Sequence, residues 1–191
     1  MTNRAKWKWR LLAVIFLGGL VALIERYRTY RENSQDAPIL AAARKYGVDP
    51  ALIKAVVWRE SWFNPHVKGR KGEIGLMQIR DKAANEWSEA EHVLLFTHQQ
   101  LYDPARNTLA GAWYLRKLLG RYQAADDAVP YALADYNAGR THVLQWAKGA
   151  AITNSAAFVE QIGFPATRDY VRAVMKRRQH YRGAFPHSER R

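Results

Sequence analysis

The sequence predicts a mainly helical globular domain over about residues 37–185, with one irregular glycine-rich insertion. Three observations predict this fold class. Apolar residues recur at three- and four-residue spacing through most of the region, as on the buried face of a helix. Asp-Pro pairs, which are typical of helix starts, occur at 49–50 and 103–104. Gly47 and Gly139 follow two predicted helices, at a position where helices commonly end.

The composition limits the chemistry that the chain can perform. The 191 residues carry a net charge of +13, are 48% apolar and include no cysteine, which suits one packed domain plus an appendage. Without cysteine there are no disulfides, no thiol catalysis and no thiolate metal sites. The positive charge predicts an anionic partner, which is nucleic acid, anionic lipid or an acidic polymer. Because no nucleic-acid recognition motif is present, we do not expect a nucleic-acid partner.

The N-terminal segment predicts a membrane anchor. Residues 11–24, "LLAVIFLGGLVALI", carry no charge and follow a basic stretch. With Trp7, Trp9 and Tyr27 as interfacial anchors, the segment approaches the roughly 20 residues that a membrane span needs. A cleaved signal peptide is the alternative, but the sequence "VALIERY" lacks the small residues of a cleavage site. We therefore predict an uncleaved signal anchor over residues 1–27.

A polar linker over residues 28–36 is expected to join this anchor to the helical domain. The first domain helix, "APILAAARKYG", ends at Gly47, and the next, "DPALIKAVVWRES", begins with Asp49 as N-cap. Residues 64–75 hold three glycines and one proline, so we predict a loop or short hairpin there. The helical pattern returns with "LMQIRDKAANEW", which places the start of the next helix at Leu76.

Further helices follow to the end of the domain. "DPARNTLAGAWYLRKLLGRY" has a leucine-rich stripe, and "DDAVPYALADYNAG" ends at Gly139. "THVLQWAKG", "SAAFVEQIG" and "TRDYVRAVMKRRQHYR" complete the series, and residues 184–191 form a basic tail. The sequence shows no internal repeat.

Glu60 is the strongest candidate for a catalytic residue. It lies three and four residues after Val57 and Val56, so on a helix it shares their buried face. Burial and the negative end of the helix dipole both disfavour the anion and raise the pKa of the carboxyl group. An acid that keeps its proton near neutral pH suits general acid catalysis. The alternative is a glutamate that turns to solvent at a frayed helix end.

Amide and phenol groups at the ends of two other elements suggest a binding site for a neutral polar ligand such as a sugar. Met77 and Gln78 follow the glycine-rich loop, and Tyr136 and Asn137 lie just before Gly139. Each also has a structural explanation, because Asn-Ala-Gly is a plausible helix C-cap and methionine is common in protein cores.

Together these motifs resemble a known family. Glu-Ser at 60–61, Gly-Leu-Met-Gln at 75–78 and Tyr-Asn-Ala-Gly at 136–139 follow one another in the order of the soluble lytic transglycosylase catalytic domain, which is related to goose-type lysozyme. "SWFNP", "DPARNTLAGAWYL" and "GFPATRDYVRAV" also resemble segments of that family. The resemblance covers residues 37–183 and implies a lysozyme-like helical domain of the α+β lysozyme superfamily.

The resemblance implies an activity and a location. Glu60 is then the single acid and base that cleaves the β-1,4 bond between N-acetylmuramic acid (MurNAc) and N-acetylglucosamine (GlcNAc) in peptidoglycan, forming 1,6-anhydro-MurNAc. No metal and no cofactor are expected, and the partners are glycan strands and the membrane. With a single-pass anchor in the inner membrane, the domain faces the periplasm. The residues implied to bind substrate are Met77, Gln78, Tyr136, Asn137 and, from the closing helix, Tyr170.

The chain departs from the family pattern in four places. Gly69 stands where a serine is frequent, Glu73 stands where an alanine is common, Ala166 replaces a glutamate, and "IRDKAA" replaces a Pro-x-Thr segment. Glu73 is a possible second acid. If it holds a water molecule opposite Glu60, the enzyme becomes a lysozyme-type hydrolase; otherwise Glu73 is a solvated loop residue. A third possibility is a tethered peptidoglycan-binding protein without activity.

Overall fold

The computed structural model describes residues 3–185, with side chains described except for residues 3–6 and 8. The chain divides into two compact units between Gln35 and Asp36. Most of the predicted basic tail, residues 186–191, lies outside the described part. The α-helices of the described part are α1 (Asn3–Asn33), α2 (Asp36–Tyr46), α3 (Pro50–Ser61), α4 (Asp81–Ala90), α5 (Pro104–Arg121), α6 (Ala128–Ala138), α7 (Arg140–Trp146), α8 (Ser155–Gln161) and α9 (Pro165–Arg182), with short 3₁₀ helices at His98–Tyr102 and Gly149–Ile152.

Helix α1 forms the first unit and runs through most of the segment that we predicted as a linker. Over the described residues, no helix combines the length and the apolar character that crossing a membrane requires. The predicted membrane-spanning anchor is therefore not supported. The physical reason is that the uncharged run, residues 11–24, is bounded by Arg10 and Glu25 and falls short of the roughly 20 apolar residues needed.

Helix α3 is the central helix of the second unit. The side chain of Asp49 accepts a hydrogen bond from the Ala51 amide at 2.8 Å, and Pro50 occupies the first turn, as the sequence predicted. Eight consecutive residues, 50–57, are buried, so this helix is covered on nearly all sides. It ends at Trp62, whose backbone is left-handed with φ of 53°. Glu60 therefore lies in the last turn of a helix that is buried over most of its length and reaches solvent only towards its end.

Two ion pairs lie where α2, α3 and α9 meet: one joins α3 to the start of α2, and the other joins α9 to the start of α3. The side chain of Lys54 is 1% exposed, and its ammonium lies 2.7 Å from a carboxylate oxygen of Asp36. The same ammonium lies over the ring of Tyr181 at 5.0 Å. Arg178 donates to the Asp49 carboxylate at 2.7 Å. Because a buried charge needs a partner, these contacts hold α9 in one position along α3.

The glycine-rich segment is a small hairpin-like loop, as predicted. Isolated antiparallel bridges pair Lys68 with Ile74 and Ile74 with Ile79. The loop extends further than expected, because α4 begins at Asp81 and not at Leu76. The prediction of helix from Leu76 is wrong for a conformational reason. Gln78 has φ of 49°, a left-handed value that a right-handed helix does not contain.

Candidate active site

Glu60 is held by a residue from a distant part of the chain. Its carboxylate Oε1 accepts a hydrogen bond of 2.7 Å from the hydroxyl of Tyr170 on α9. Tyr170 is only 3% exposed, so this hydroxyl is fixed by the packing around it. Glu60 itself is partly buried, and it is not turned fully to solvent as the alternative interpretation required.

The environment of Glu60 raises the pKa of its carboxyl group from 4.5 to about 7. Burial is the largest cause, because the anion loses hydration. The hydrogen bond from Tyr170 and the positive charge of Arg59 act in the opposite direction and lower this pKa. The negative charge of Glu73 raises it, and Arg80 lowers it. At neutral pH the group is therefore divided between the acid and the anion.

Tyr136 lies on α6 within electrostatic reach of Glu60. Burial raises the pKa of Tyr136 well above its ordinary value, and the charge of Glu60 raises it further. The Tyr136 hydroxyl donates a 2.6 Å hydrogen bond to the backbone carbonyl of Met77. The Met77 side chain is 0% exposed and packs against Gly111 of α5, where a Cβ atom would collide with it. Met77 thus supports the site from behind, unlike the substrate-lining position that we predicted for it.

Gln78 is fixed by the loop in which it lies. Its amide nitrogen donates to the carbonyl of Gly75 at 2.8 Å and to that of Val67 at 3.1 Å. These bonds hold the side chain across the base of the hairpin. Asn137, at the end of α6, accepts a 2.8 Å hydrogen bond from the hydroxyl of Thr167 and is exposed.

An open cleft of about 590 Å³ brings several of the predicted residues together. Gln78, Tyr136 and Asn137 line it, together with Thr167 and Phe164 from the region around the start of α9. Glu60, Met77 and Tyr170 are not among the lining residues, but Glu60 interacts electrostatically with Tyr136 and Arg80, which do line the cleft. Within the described residues, no three His, Asp or Glu side chains lie close enough together to hold a metal ion.

Glu73 also lies near Glu60, but its oxygens are already occupied. One carboxylate oxygen accepts from the Arg80 guanidinium at 3.1 Å, and the other accepts from the backbone amide of Lys71 at 2.9 Å. The pKa of Glu73 is lowered: burial acts to raise it, but the backbone hydrogen bonds and Arg80 together outweigh that effect. The loop has room for this carboxylate because residue 69 is glycine. A Cβ atom there would collide with the Glu73 carboxylate and lie 2.9 Å from Oε1 of Gln78.

Asn107 is a structural residue of the site that sequence reasoning did not single out. It is fully buried on α5, and its side chain accepts from the Met77 amide and donates to the carbonyls of Ile74 and Leu101, all at 2.8 Å. One side chain thus fixes both ends of the segment 74–77, which directly precedes Gln78. The sequence feature that could have identified Asn107 is its position in "DPARNTLAGAWYL", where a polar residue falls among the apolar residues of the helix.

Comparison with known proteins places this arrangement in a family. Residues 37–159 match the transglycosylase SLT domain, and the chain belongs to that family. The match includes Glu60, Gln78 and Tyr136 and ends before Tyr170.

Individual relatives agree with this assignment. The chain is 35% identical over 137 residues to the soluble lytic murein transglycosylase of Escherichia coli K12, covering 71% of this chain and 21% of that protein. It is 32% identical over 120 residues to the membrane-bound lytic murein transglycosylase F of Desulfosudis oleivorans, covering 61% of this chain and 24% of that protein. The chain therefore spans about a quarter or less of the length of these two relatives.

Solved structures confirm the fold. The inactive glutamate-to-glutamine mutant of lytic transglycosylase Slt from Pseudomonas aeruginosa matches with a TM-score of 0.72 and 29% identity, over 78% of this chain and 24% of that one. A 70-kDa soluble lytic transglycosylase in complex with bulgecin A matches with a TM-score of 0.69 and 27% identity, over 96% of this chain and 29% of that one. The predicted lytic transglycosylase fold is thus confirmed.

Proposed function

We propose that this chain is a peptidoglycan lytic transglycosylase that cleaves the MurNAc–GlcNAc β-1,4 bond and leaves a 1,6-anhydro-MurNAc end. The observation that carries the proposal is a single carboxyl group, Glu60, whose pKa is raised to about 7 and which interacts electrostatically with Tyr136 and Arg80 of the cleft. The names of the relatives, which are murein transglycosylases, support the same substrate. A location in the bacterial cell envelope, where peptidoglycan lies, follows from that substrate.

In the first step, Glu60 acts as general acid. It gives its proton to the glycosidic oxygen, which leaves as the 4-hydroxyl of GlcNAc while the bond to C1 of MurNAc breaks. The 2-acetamido oxygen of the substrate stabilises the positive charge that develops at C1. Tyr170 then stabilises the Glu60 anion, because its hydroxyl donates to the carboxylate at 2.7 Å.

In the second step, Glu60 acts as general base. Its carboxylate takes the proton of the C6 hydroxyl of the same muramoyl ring, and that oxygen bonds to C1 and closes the anhydro ring. The proton returns to Glu60, so the acid is regenerated and no water is consumed. A nucleophile within the substrate has a high effective concentration, so a second carboxylate to hold water is unnecessary. Gln78, Tyr136 and Asn137 are the groups proposed to bind the sugar rings, with Tyr170 as a positioning residue.

A lysozyme-type hydrolase is the second candidate function. The observation that favours it is the Glu73 carboxylate, which occupies the space above Gly69 within electrostatic reach of Glu60. To activate water, however, this carboxylate has to release Arg80 or the Lys71 amide, and its lowered pKa makes it a weak base.

The products distinguish the two functions. Digestion of peptidoglycan in ¹⁸O-labelled water, followed by mass spectrometry, is expected to give anhydro ends without label. Reducing ends that carry ¹⁸O would establish the hydrolase and overturn the transglycosylase proposal.

Glu60→Gln tests the assignment of the acid. We expect this variant to bind glycan strands and to release no fragments, in keeping with the inactive glutamate-to-glutamine mutant of the Pseudomonas relative. Glu89→Gln is the matched control, because Glu89 is an exposed glutamate in the last turn of α4. Activity retained in Glu60→Gln would exclude Glu60 as the acid. If neither the native chain nor the control cleaved peptidoglycan while both bound it, the non-catalytic binding function would be favoured.

A further inference from the structure

Arg59 is a cation beside the proposed catalytic acid to which the reaction as described gives no role. It directly precedes Glu60 in the last turn of α3, and its side chain is exposed. Its guanidinium carbon lies 5.6 Å from the centre of the Tyr170 ring, which is a cation–π distance. The hydroxyl of the same ring donates the 2.7 Å hydrogen bond to the Glu60 carboxylate. Arg59 and Glu60 are therefore connected through one aromatic side chain.

The positive charge of Arg59 is not neutralised by a carboxylate. In the part of the chain that the structure describes, no Asp or Glu oxygen lies within ion-pair distance of its guanidinium. Arg80, the other cation that acts on Glu60, differs in this respect, because it pairs with the Glu73 carboxylate at 3.1 Å. Of these two cations, Arg59 is the one whose charge remains available to stabilise an anion.

The charged and titratable groups that interact with the Glu60 carboxyl come from several elements of the described structure: Arg59 of α3, Tyr170 of α9, Tyr136 of α6, and Glu73 and Arg80 of the loop before α4. Glu73 and Arg80 act on the pKa of Glu60 in opposite directions. The phenols of Tyr136 and Tyr170 stay neutral, because burial raises the pKa of each well above its ordinary value. Arg59 therefore contributes the charge that these groups leave unbalanced.

A cation on the face of a phenol makes its hydroxyl a better hydrogen-bond donor. Burial has the largest effect on the pKa of Tyr170 and raises it, and the charge of Arg59 acts in the opposite direction. A more acidic hydroxyl donates a stronger hydrogen bond, and such a bond is strongest when its acceptor is ionised. The effect of Arg59 is therefore largest when Glu60 is an anion, which is its state after the glycosidic bond has broken.

A purely structural role is the alternative for Arg59. A cation in the last turn of a helix stabilises the negative end of the helix dipole, and it does so without any contact with Tyr170. Such a role would change the stability of α3 and leave the ionisation of Glu60 and the rate of the reaction as they are. Kinetic and titration measurements therefore distinguish the two roles.

We propose that Arg59 is a positioning residue, which acts through Tyr170 to stabilise the Glu60 carboxylate once the glycosidic bond has broken. This inference rests on the proposed function and adds a residue to its mechanism. Arg59 is not among the residues that line the cleft, so its effect reaches the sugar through Tyr170 and Glu60.

The test uses two substitutions of Arg59 and one matched control. Arg59→Gln removes the charge, and Arg59→Lys keeps it. The control is Arg177→Gln, because Arg177 of α9 lies over the ring of Trp58 of α3 at 4.3 Å. The control thus removes another cation–π contact between the same two helices. Thermal unfolding of each variant checks that the fold is retained.

We expect kcat of Arg59→Gln on peptidoglycan to fall about threefold, as an exposed cation–π contact allows. The fall of kcat/KM at alkaline pH should move to higher pH, because the Glu60 anion loses stabilisation and its pKa rises further. Arg59→Lys should restore most of both properties, since the ammonium is also a cation. Arg177→Gln should leave kcat and the pH profile unchanged.

A second background tests whether Tyr170 transmits the effect. Tyr170→Phe keeps the aromatic ring and removes the hydroxyl that donates to Glu60. In this background Arg59→Gln should lower kcat by a smaller factor than in the native chain, because the hydrogen bond that Arg59 strengthens is gone. An equal factor in both backgrounds would show that Arg59 does not act through Tyr170 and would overturn the inference.

A titration without turnover separates this inference from the proposed function. In protein labelled with ¹³C at the glutamate carboxyl groups, the NMR signal of Glu60 is the one that Glu60→Gln lacks. Its midpoint should move to higher pH in Arg59→Gln and stay unchanged in Arg177→Gln. An unchanged midpoint in Arg59→Gln, or an equal shift in the control, would overturn the inference. Absence of anhydro products from the native chain would instead refute the proposed function, whatever the titration shows.

Discussion

Glu60→Gln should change stability as well as activity, and the change should depend on pH. The folded protein raises the pKa of Glu60 from 4.5 to about 7, chiefly because the buried anion loses hydration. Well below pH 4.5 the carboxyl group is protonated in both the folded and the unfolded chain, so its ionisation does not reduce the free energy of unfolding. As the pH rises towards 7, the unfolded chain ionises freely and the folded chain resists ionisation, so the native protein loses stability relative to its value at low pH.

The magnitude follows from this difference in pKa. About 2.5 pKa units at 1.36 kcal/mol each give an upper limit of about 3.4 kcal/mol. Because Glu60 is only partly buried, we expect about 2 kcal/mol. Glutamine is neutral at every pH and still accepts the hydrogen bond from Tyr170. The variant should therefore gain about 2 kcal/mol over the native chain between pH 4.5 and pH 8.

Urea unfolding of both proteins, measured every half pH unit, tests this expectation. The control Glu89→Gln removes an exposed negative charge from α4 and should follow the native curve. If the free energy of unfolding of Glu60→Gln ran parallel to that of the native chain across this range, Glu60 would be an ordinary solvated carboxylate. The reasoning for a general acid at this position would then fail.

Three other predictions concern the surroundings of Glu60. Tyr170→Phe removes the hydrogen bond that lowers the pKa of Glu60, so the fall of kcat/KM at alkaline pH should move to higher pH. A pH–rate profile measures this shift, and an unchanged profile would show that the hydrogen bond is not made in solution. Gly69→Ala should destabilise the native chain by about 1 kcal/mol and a Glu73→Ala variant by less, because Glu73→Ala removes the nearest clash, with the Glu73 carboxylate, and leaves the contact with Gln78. A double-mutant cycle by urea unfolding measures this coupling, and additive effects would contradict it. Lys54→Ala should cost about 3 kcal/mol, since it opens a cavity and leaves an acid without its partner, and a loss under 1 kcal/mol by the same assay would contradict that role.

Local signals were sufficient for α3 and for the direction of the pKa shift of Glu60. The Asp49 cap and the apolar run before Glu60 define α3 from adjacent residues, and the inward face of that helix already implies a raised pKa. The direction of the shift was therefore predictable from the sequence. The sequence alone did not identify Tyr170 as the hydrogen-bond partner of Glu60, because the two residues lie 110 positions apart. Tyr170 was predicted only from the family resemblance, as a substrate-binding residue.

The loop before α4 shows where local reasoning fails. Residues 76–80 have a helical hydrophobic pattern, yet Gly75 and Gln78 both have positive φ. The side chain of Asn107 on α5 supplies the hydrogen bonds that hold this conformation, and no pattern within the loop reports them. Likewise, the burial of Met77 depends on the absence of a side chain at Gly111 on another helix.

In the proposed reaction one carboxyl group serves in both steps, and a pKa of about 7 suits Glu60 to both. A group that must first give a proton and then take one works best when neither form is strongly favoured. Burial alone would push Glu60 towards a permanently protonated acid, which is a poor base after bond cleavage. Tyr170, Arg59 and Arg80 each stabilise the anion and oppose that effect, and the balance lies at about 7. On this argument Tyr170 matters most after the glycosidic bond has broken, when the carboxylate it binds has to exist as an anion beside a developing positive charge.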